Sequence, residues 1–135
     1  MNSSLPDDVS RDLERVERAV GRQEFDPMTT ILTSRDELVL KMRDDLAVDD
    51  LAEGFDRVLL PFSPTTGSDS VYVGAANSTT GKHSHESNTL HLIATGCVKV
   101  NGQILSSGDW AYIPAGIEYE LEVGWCPCIV FYRHW

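Results

Sequence analysis

Basic residues are scarce in this chain: 11 Lys and Arg stand against 21 Asp and Glu, for a formal net charge of −10. A polyanion would be repelled, so binding to a nucleic-acid backbone or to an anionic bilayer surface is not expected. Long apolar runs are also missing. The longest, Cys128 to Tyr132, has five residues, whereas a membrane-spanning helix needs about twenty. Residues 1–8 have neither the basic stretch nor the apolar core of an export signal. Cysteines number only 3, an odd count. Cys97, Cys126 and Cys128 are therefore expected as buried free thiols, and the cytoplasm as the compartment. The Cys126-x-Cys128 pair, with Pro127 marking a strand start, is a poor match to a four-ligand zinc site. Phosphate loops, nucleotide fingerprints, serine nucleophile elbows, internal repeats and low-complexity tracts are all lacking.

What is present is one domain's worth of chain, long enough to bury roughly two-thirds of its unfolded surface. Residues 1–60 hold 15 acidic against 8 basic side chains, and residues 61–135 hold 6 against 3. The grammar changes along with the charge. Val9, Leu13, Val16 and Val20 recur at helical spacing with Arg, Asp and Glu between them, predicting a narrow amphipathic helix over about 4–22 with Pro6 in its first turn. Its stripe could pack on the domain or on a second subunit. Residues 21–30 read as a connector. Ser34-Arg35-Asp36-Glu37 fits a capping box, with Leu38, Met42 and Leu46 following, so a second helix is expected over 35–46. Residues 1–50 are thus read as a helical extension and 51–135 as a β domain. That domain has short β-rich runs at 57–62, 70–76, 82–84, 90–95, 97–100, 103–105, 110–113, 118–123 and 128–135, as in an all-β barrel or sandwich. Asn101-Gly102, between two of these runs, is the chemistry of a type I′ hairpin turn.

The histidines carry the functional signal. His83, His85 and His91 fall within nine residues, and His134, next to last, reads as a terminal surface residue. In a strand, side chains two apart share a face about 7 Å apart, so His83-Ser84-His85 could set two imidazoles around one metal ion. Glu118 to Val123 alternates, which turns Tyr119, Leu121 and Val123 inward and three carboxylates outward. Tyr119 could serve as an acid or base, or simply as a core aromatic.

From Lys82 onward the chain resembles the cupin superfamily. His83-x-His85 and Gly96 occupy positions of that family's first motif, and Gly108-Asp109-Trp110-Ala111-Tyr112-Ile113-Pro114-Ala115-Gly116 matches the Gly-x5-Pro-x-Gly half of its second. The resemblance covers about 60–135 and implies a cupin-type double-stranded β-helix, a jelly-roll barrel, behind an N-terminal helical extension. It also implies a divalent metal, with iron first and zinc, nickel or manganese as alternatives. The departures are Thr89 where the family has its ligand Glu, Tyr119 where it has its third His, and Val123 in the Asn place.

Three arrangements stay open. His91 could join His83 and His85 in a three-histidine metal site, with Glu86 the nearest carboxylate. The two histidines could bind metal only weakly or with a substrate's help. Or His85, Tyr119 and His91 could work as acid and base without metal. The resemblance implies a small-molecule enzyme, a metal-dependent dioxygenase first. A metal-assisted lyase or isomerase using Tyr119, or a non-catalytic ligand sensor, is the alternative. A homodimer is expected on the same ground.

Overall fold

The computed structural model describes residues 5–21, 29–49, 51–62 and 67–135. Both helices form. Helix α1 (Asp7–Gly21) starts directly after Pro6, whose carbonyl accepts the Ser10 N–H at 2.9 Å. Its expected ends at residues 4 and 22, and the connector over 22–28, lie outside the described residues. Asp7 and Asp8 in the first turn and Arg18 in the last complement the helix dipole. Val9, Val16 and Ala19 are buried, and so is Asp12 on the same face. Helix α2 (Glu37–Leu46) begins two residues later than the sequence predicts, and no capping box forms. Its N-cap is Asp36, whose carboxylate turns back to accept the Thr33 N–H at 2.7 Å. A short acidic side chain that satisfies its own turn is lost to the cap. Neither helix is long and apolar enough to cross a membrane.

Nine strands follow: β1 (Ala47–Val48), β2 (Phe55–Leu59), β3 (Ser68–Gly74), β4 (Thr89–Thr95), β5 (Cys97–Val100), β6 (Gln103–Ser106), β7 (Trp110–Ile113), β8 (Leu121–Val123) and β9 (Cys128–His134). They make two antiparallel sheets, one in the order β1-β2-β3-β9-β4-β7 and one in the order β6-β5-β8. The run predicted at 82–84 is not a strand. It contributes a single bridge, His83 opposite Tyr119. Asn101 and Gly102 have φ of 47° and 86°, both positive as a type I′ turn requires, with Val100 paired to Gln103.

Among the described residues, two different layers cover the inner side of the larger sheet. Ile93, Tyr72 and Val130 from its inner face pack with Val98, Leu121 and Val123 of the smaller sheet. Leu59, also inward, packs with Val16, Ala19, Val39, Met42 and Leu46 of the helices. Helix α1 is further tied down by polar groups. The buried Asp12 carboxylate accepts hydrogen bonds from the Arg57 guanidinium of β2 and from Ser68 Oγ of β3 at 2.8 Å, and Arg57 Nε donates to Ser70 Oγ at 2.9 Å. Burial alone would raise the Asp12 pKa. The neighbouring His134 imidazole and the Arg57 cation outweigh it and hold the carboxyl at about 2.

Two stability predictions follow from this packing. Gly96 sits at φ +81°, just after a bulge in β4, and a Cβ there would lie 2.5 Å from the Pro127 carbonyl oxygen. Gly96→Ala should therefore cost more than the roughly 1–2 kcal/mol of left-handed backbone alone, whereas Gly108→Ala, at φ +90° in open space, should cost only that. Urea melts of the two variants measure the difference. Asp12→Ala should cost about 3–5 kcal/mol by leaving Arg57 buried and uncompensated. The double replacement Asp12→Leu with Arg57→Met should lose less, and a double-mutant cycle checks it.

Candidate active site

A cavity of about 250 Å³ opens against the inner face of the larger sheet. Alternation on three neighbouring strands fills its floor. Tyr72 of β3, Tyr132 and His134 of β9 and His91 of β4 all point inward and are buried, with His91 directly opposite Tyr132 in register. The near wall comes from the bridge between His83 and Tyr119, whose backbone N–H groups each donate to the other's carbonyl at 3.0 and 2.8 Å. That pairing puts the two rings on one side, with centroids 4.4 Å apart. His85 stands beside them, its ring 4.9 Å from that of His83, and its carbonyl accepts the Gly116 N–H at 2.8 Å from the Pro114-Ala115-Gly116 turn. The two motif halves therefore meet in space. Phe55, Leu121, Leu51 and Ala52 supply apolar wall, and Arg57 lines the cavity as well.

The polar atoms in this space form one chain of alternating imidazoles and phenols. Tyr72 OH lies 2.9 Å from His91 Nδ1, and His91 Nε2 lies 3.4 Å from both Tyr119 OH and Thr89 Oγ1. Tyr119 OH lies 3.1 Å from His85 Nε2, Tyr132 OH lies 3.3 Å from the same nitrogen, and Tyr132 OH makes a short contact with His134 Nε2. A carboxylate stands behind each of two imidazoles, one within the chain and one at its end. Asp8 Oδ2 is 3.8 Å from His85 Nδ1, and Asp12 Oδ2 is 3.3 Å from His134 Nδ1. An ionised carboxylate can only accept, so the consistent arrangement has Nδ1–H of His85 and of His134 facing Asp8 and Asp12. Both Nε2 atoms are then acceptors towards Tyr132, whose single O–H can serve one of them. Burial, helped by His134 and His83 and opposed by Asp8, lowers the His85 pKa to about 4. Burial, with His85 and His134 nearby, lowers that of His91 to about 3. Burial also pushes the phenols of Tyr72, Tyr119 and Tyr132 above their ordinary value. At neutral pH both imidazoles and all three phenols are uncharged.

The sequence-predicted residues are thus brought together, but not as a three-histidine ligand set. His91 has both ring nitrogens within reach of hydroxyls, and His83 Nδ1 lies 3.0 Å from the Gly81 carbonyl. Among the described residues, the ligand atoms that lie within 4.8 Å of one another belong to Asp8, His85 and His134. Glu86 is engaged elsewhere, accepting the Asp7 N–H at 3.3 Å. His134, expected at the surface, is 3% exposed. Strand β9 is flanked on both sides, so its last inward residue is covered by Ser68 and Thr89 in register. The three cysteines are free thiols, and Cys128 is buried.

The donor set suits a divalent ion. Two imidazoles and one carboxylate are the chemistry that accepts late first-row metals. The carboxylate behind His134 is the partner that a ligating histidine ordinarily has. His134 Nδ1 itself is buried 3.3 Å from Asp12 Oδ2 without an aligned hydrogen bond. Sequence reasoning missed Asp8, Asp12, His134, Tyr72 and Tyr132. A signal existed for some of them: Asp12 interrupts the stripe between Val9 and Val16, and His134 shares strand parity with Tyr132.

No family model matches the chain, and no curated protein matches it. Solved structures do. The polyketide cyclase RemF from Streptomyces resistomycificus superimposes with a TM-score of 0.59 at 17% identity, over 76% of this chain and 79% of that one. A chain of the Rhodobacter sphaeroides SigE complex with the anti-sigma ChrR gives 0.57 at 16%, over 63% of this chain and only 46% of its own length. An RmlC-like cupin from Shewanella frigidimarina gives 0.56 at 17%, over 63% and 78%. Identity this low carries the fold and nothing finer, and on that evidence the fold of this chain is that of the cupins.

Proposed function

We propose that this chain is an enzyme that moves a proton on a small, enolisable organic substrate held at a divalent metal ion, a lyase, isomerase or cyclase in reaction type. The observation that carries this is the Tyr119 hydroxyl, on the cavity wall 3.1 Å from His85 Nε2 and 3.4 Å from His91 Nε2. Asp8, His85 and His134 would hold the ion, for which zinc, nickel, manganese and iron all suit the donors. The ion would supply Lewis acidity towards a substrate carbonyl or carboxylate. Tyr119 gives or takes the proton at the neighbouring carbon, and His91 behind it, backed by Tyr72, passes that proton on. Residues 1–50 then serve as an extension that lends Asp8 to the barrel of 51–135. The cavity is smaller than the roughly 300–1,000 Å³ of drug-sized sites, and Phe55, Leu121, Leu51 and Ala52 favour a compact, largely apolar molecule. The match to a polyketide cyclase is in keeping with that chemistry.

A metal-dependent dioxygenase would draw on the same imidazoles with iron. It gains less support, because Tyr119, placed within reach of two imidazoles, is a proton-transfer group that such a reaction leaves without a role. The non-catalytic sensor remains an outcome of the tests below.

Chelator-treated protein titrated with zinc or cobalt should bind one equivalent and melt at a higher temperature. Asp8→Asn, at the half-buried edge of the site, should weaken that binding at least tenfold, as should His134→Gln, while Ser107→Ala should not. Unchanged affinity in both site variants removes the metal assignment. In deuterated water, the metal-loaded protein should catalyse exchange at the acidic carbon of some member of a panel of small keto acids and 1,3-dicarbonyls, read by proton NMR. Tyr119→Phe should slow that exchange by about 10²- to 10⁴-fold with metal affinity retained. Oxygen uptake by the iron form would instead favour the dioxygenase, and a ligand-dependent melting temperature without turnover would favour the sensor.

A further inference from the structure

A cation lines the cavity without a part in the chemistry described so far. Arg57 of β2 shares inward parity with Phe55 and Leu59 and lies directly opposite Tyr72 of β3 in register. Among the described residues that line the cavity it is the one with a permanent charge; the others are histidines, tyrosines, a threonine and apolar groups. It is 8% exposed. The guanidinium carbon stands 5.2 Å over the centre of the Tyr132 ring, whose hydroxyl reaches His85 and His134. Against the burial that dominates at Tyr119, this charge favours the ionised phenol, and it adds to burial in disfavouring the protonated forms of His85 and His91.

Asp12 accounts for only part of this group. Among the described residues, the guanidinium bonds run from Nε to Ser70 Oγ and from Nη2 to the Asp12 carboxylate. A guanidinium carries five N–H groups in a planar fork, and pairing with Asp12 would not by itself require Arg57 to line a cavity. The molecule as a whole carries −10, yet Asp8 and Asp12 stand behind imidazoles and are not among the lining residues. We propose that Arg57 Nη1 donates to a carboxylate of the substrate, and that the substrate class is a small monocarboxylic acid with an apolar body. This deepens the proton-transfer reading and rests on it for the cavity being the substrate site. Charge sets the number of carboxylates. Those of Asp8 and Asp12, set against Arg57 and a divalent ion, leave one positive charge, which one substrate carboxylate neutralises. A second would meet Phe55, Leu121, Leu51 and Ala52, where a charge finds no partner.

Calorimetric titration of the protein, as isolated and after zinc loading, with α-ketoisovalerate, its methyl ester and α-ketoglutarate tests this. The monocarboxylate should bind about 10- to 100-fold more tightly than either of the others, the worth of a hydrogen bond to a charged group. In a proton–nitrogen correlation spectrum the Arg57 Nε–H, assigned through its contact with the Tyr132 ring, should shift with the acid and stay in place with the ester. Arg57→Lys keeps a charge beside Asp12 but loses the fork, and should weaken the acid by that same factor with the ester's affinity held within about twofold. An arginine with only a structural role would change both ligands alike. Equal affinity for acid and ester, an unmoved Arg57 signal, or no binding of the acid at millimolar concentration overturns the proposal. Acid that binds at Arg57 without exchanging its proton would sink the proton-transfer reading and leave this one standing. Exchange on neutral dicarbonyls alone would do the reverse.

Discussion

A carboxylate on a surface helix reaches into the barrel and is held there by an arginine, a serine and a histidine from three successive strands of the larger sheet. The rest of the site depends on that contact. Asp12 fixes how α1 lies across the inner face, and with it where Asp8, one turn earlier, can arrive. It also turns the His134 ring so that Nε2 faces the cavity. Ion pairs this deeply buried rarely add net stability over an apolar filling. The interaction makes better sense as a positioning device than as a source of stability, and it places an unpaired-charge penalty on any other docking of the helix.

The second constraint is that so many polar side chains share one small space. Imidazoles and phenols buried together cost free energy unless each finds a partner. The alternating order meets most of this, because each neutral imidazole supplies one donor and one acceptor and each phenol supplies both, with the one Tyr132 O–H serving either His85 Nε2 or His134 Nε2. Burial also disfavours the charged forms of His85, His91 and the three phenols. The run from Tyr72 through His91 and Tyr119 to His85 is a hydrogen-bonded path of the kind that proton movement needs.

Architecture explains why the two faces of the larger sheet differ so much. Its inner face is divided between two covers, the three-stranded sheet over one part and the helices over the other, and the polar cavity sits among them. Among the described residues its outer face receives neither cover, and Val58, Val71, Phe131, Leu92 and Trp110 stand on it.

Much of this was written in local chemistry. The strand runs, the Asn101-Gly102 turn, the Gly108-to-Gly116 spacing and the inward parity of Tyr119 and Leu121 are set by backbone preference and period-two alternation, which act over a few residues and so can be read from them. His83 and His85 were legible as neighbours for the same reason. The ligand partners were not. Whether His91 faces a metal or a phenol, whether His134 is surface or floor, and whether Asp8 and Asp12 are solvated acids or part of the interior depend on which strands flank β9 and on where α1 docks. Those are contacts between residues far apart in the chain, decided by the closure of the sheets and the packing of the helix against them, and no short-range pattern specifies them.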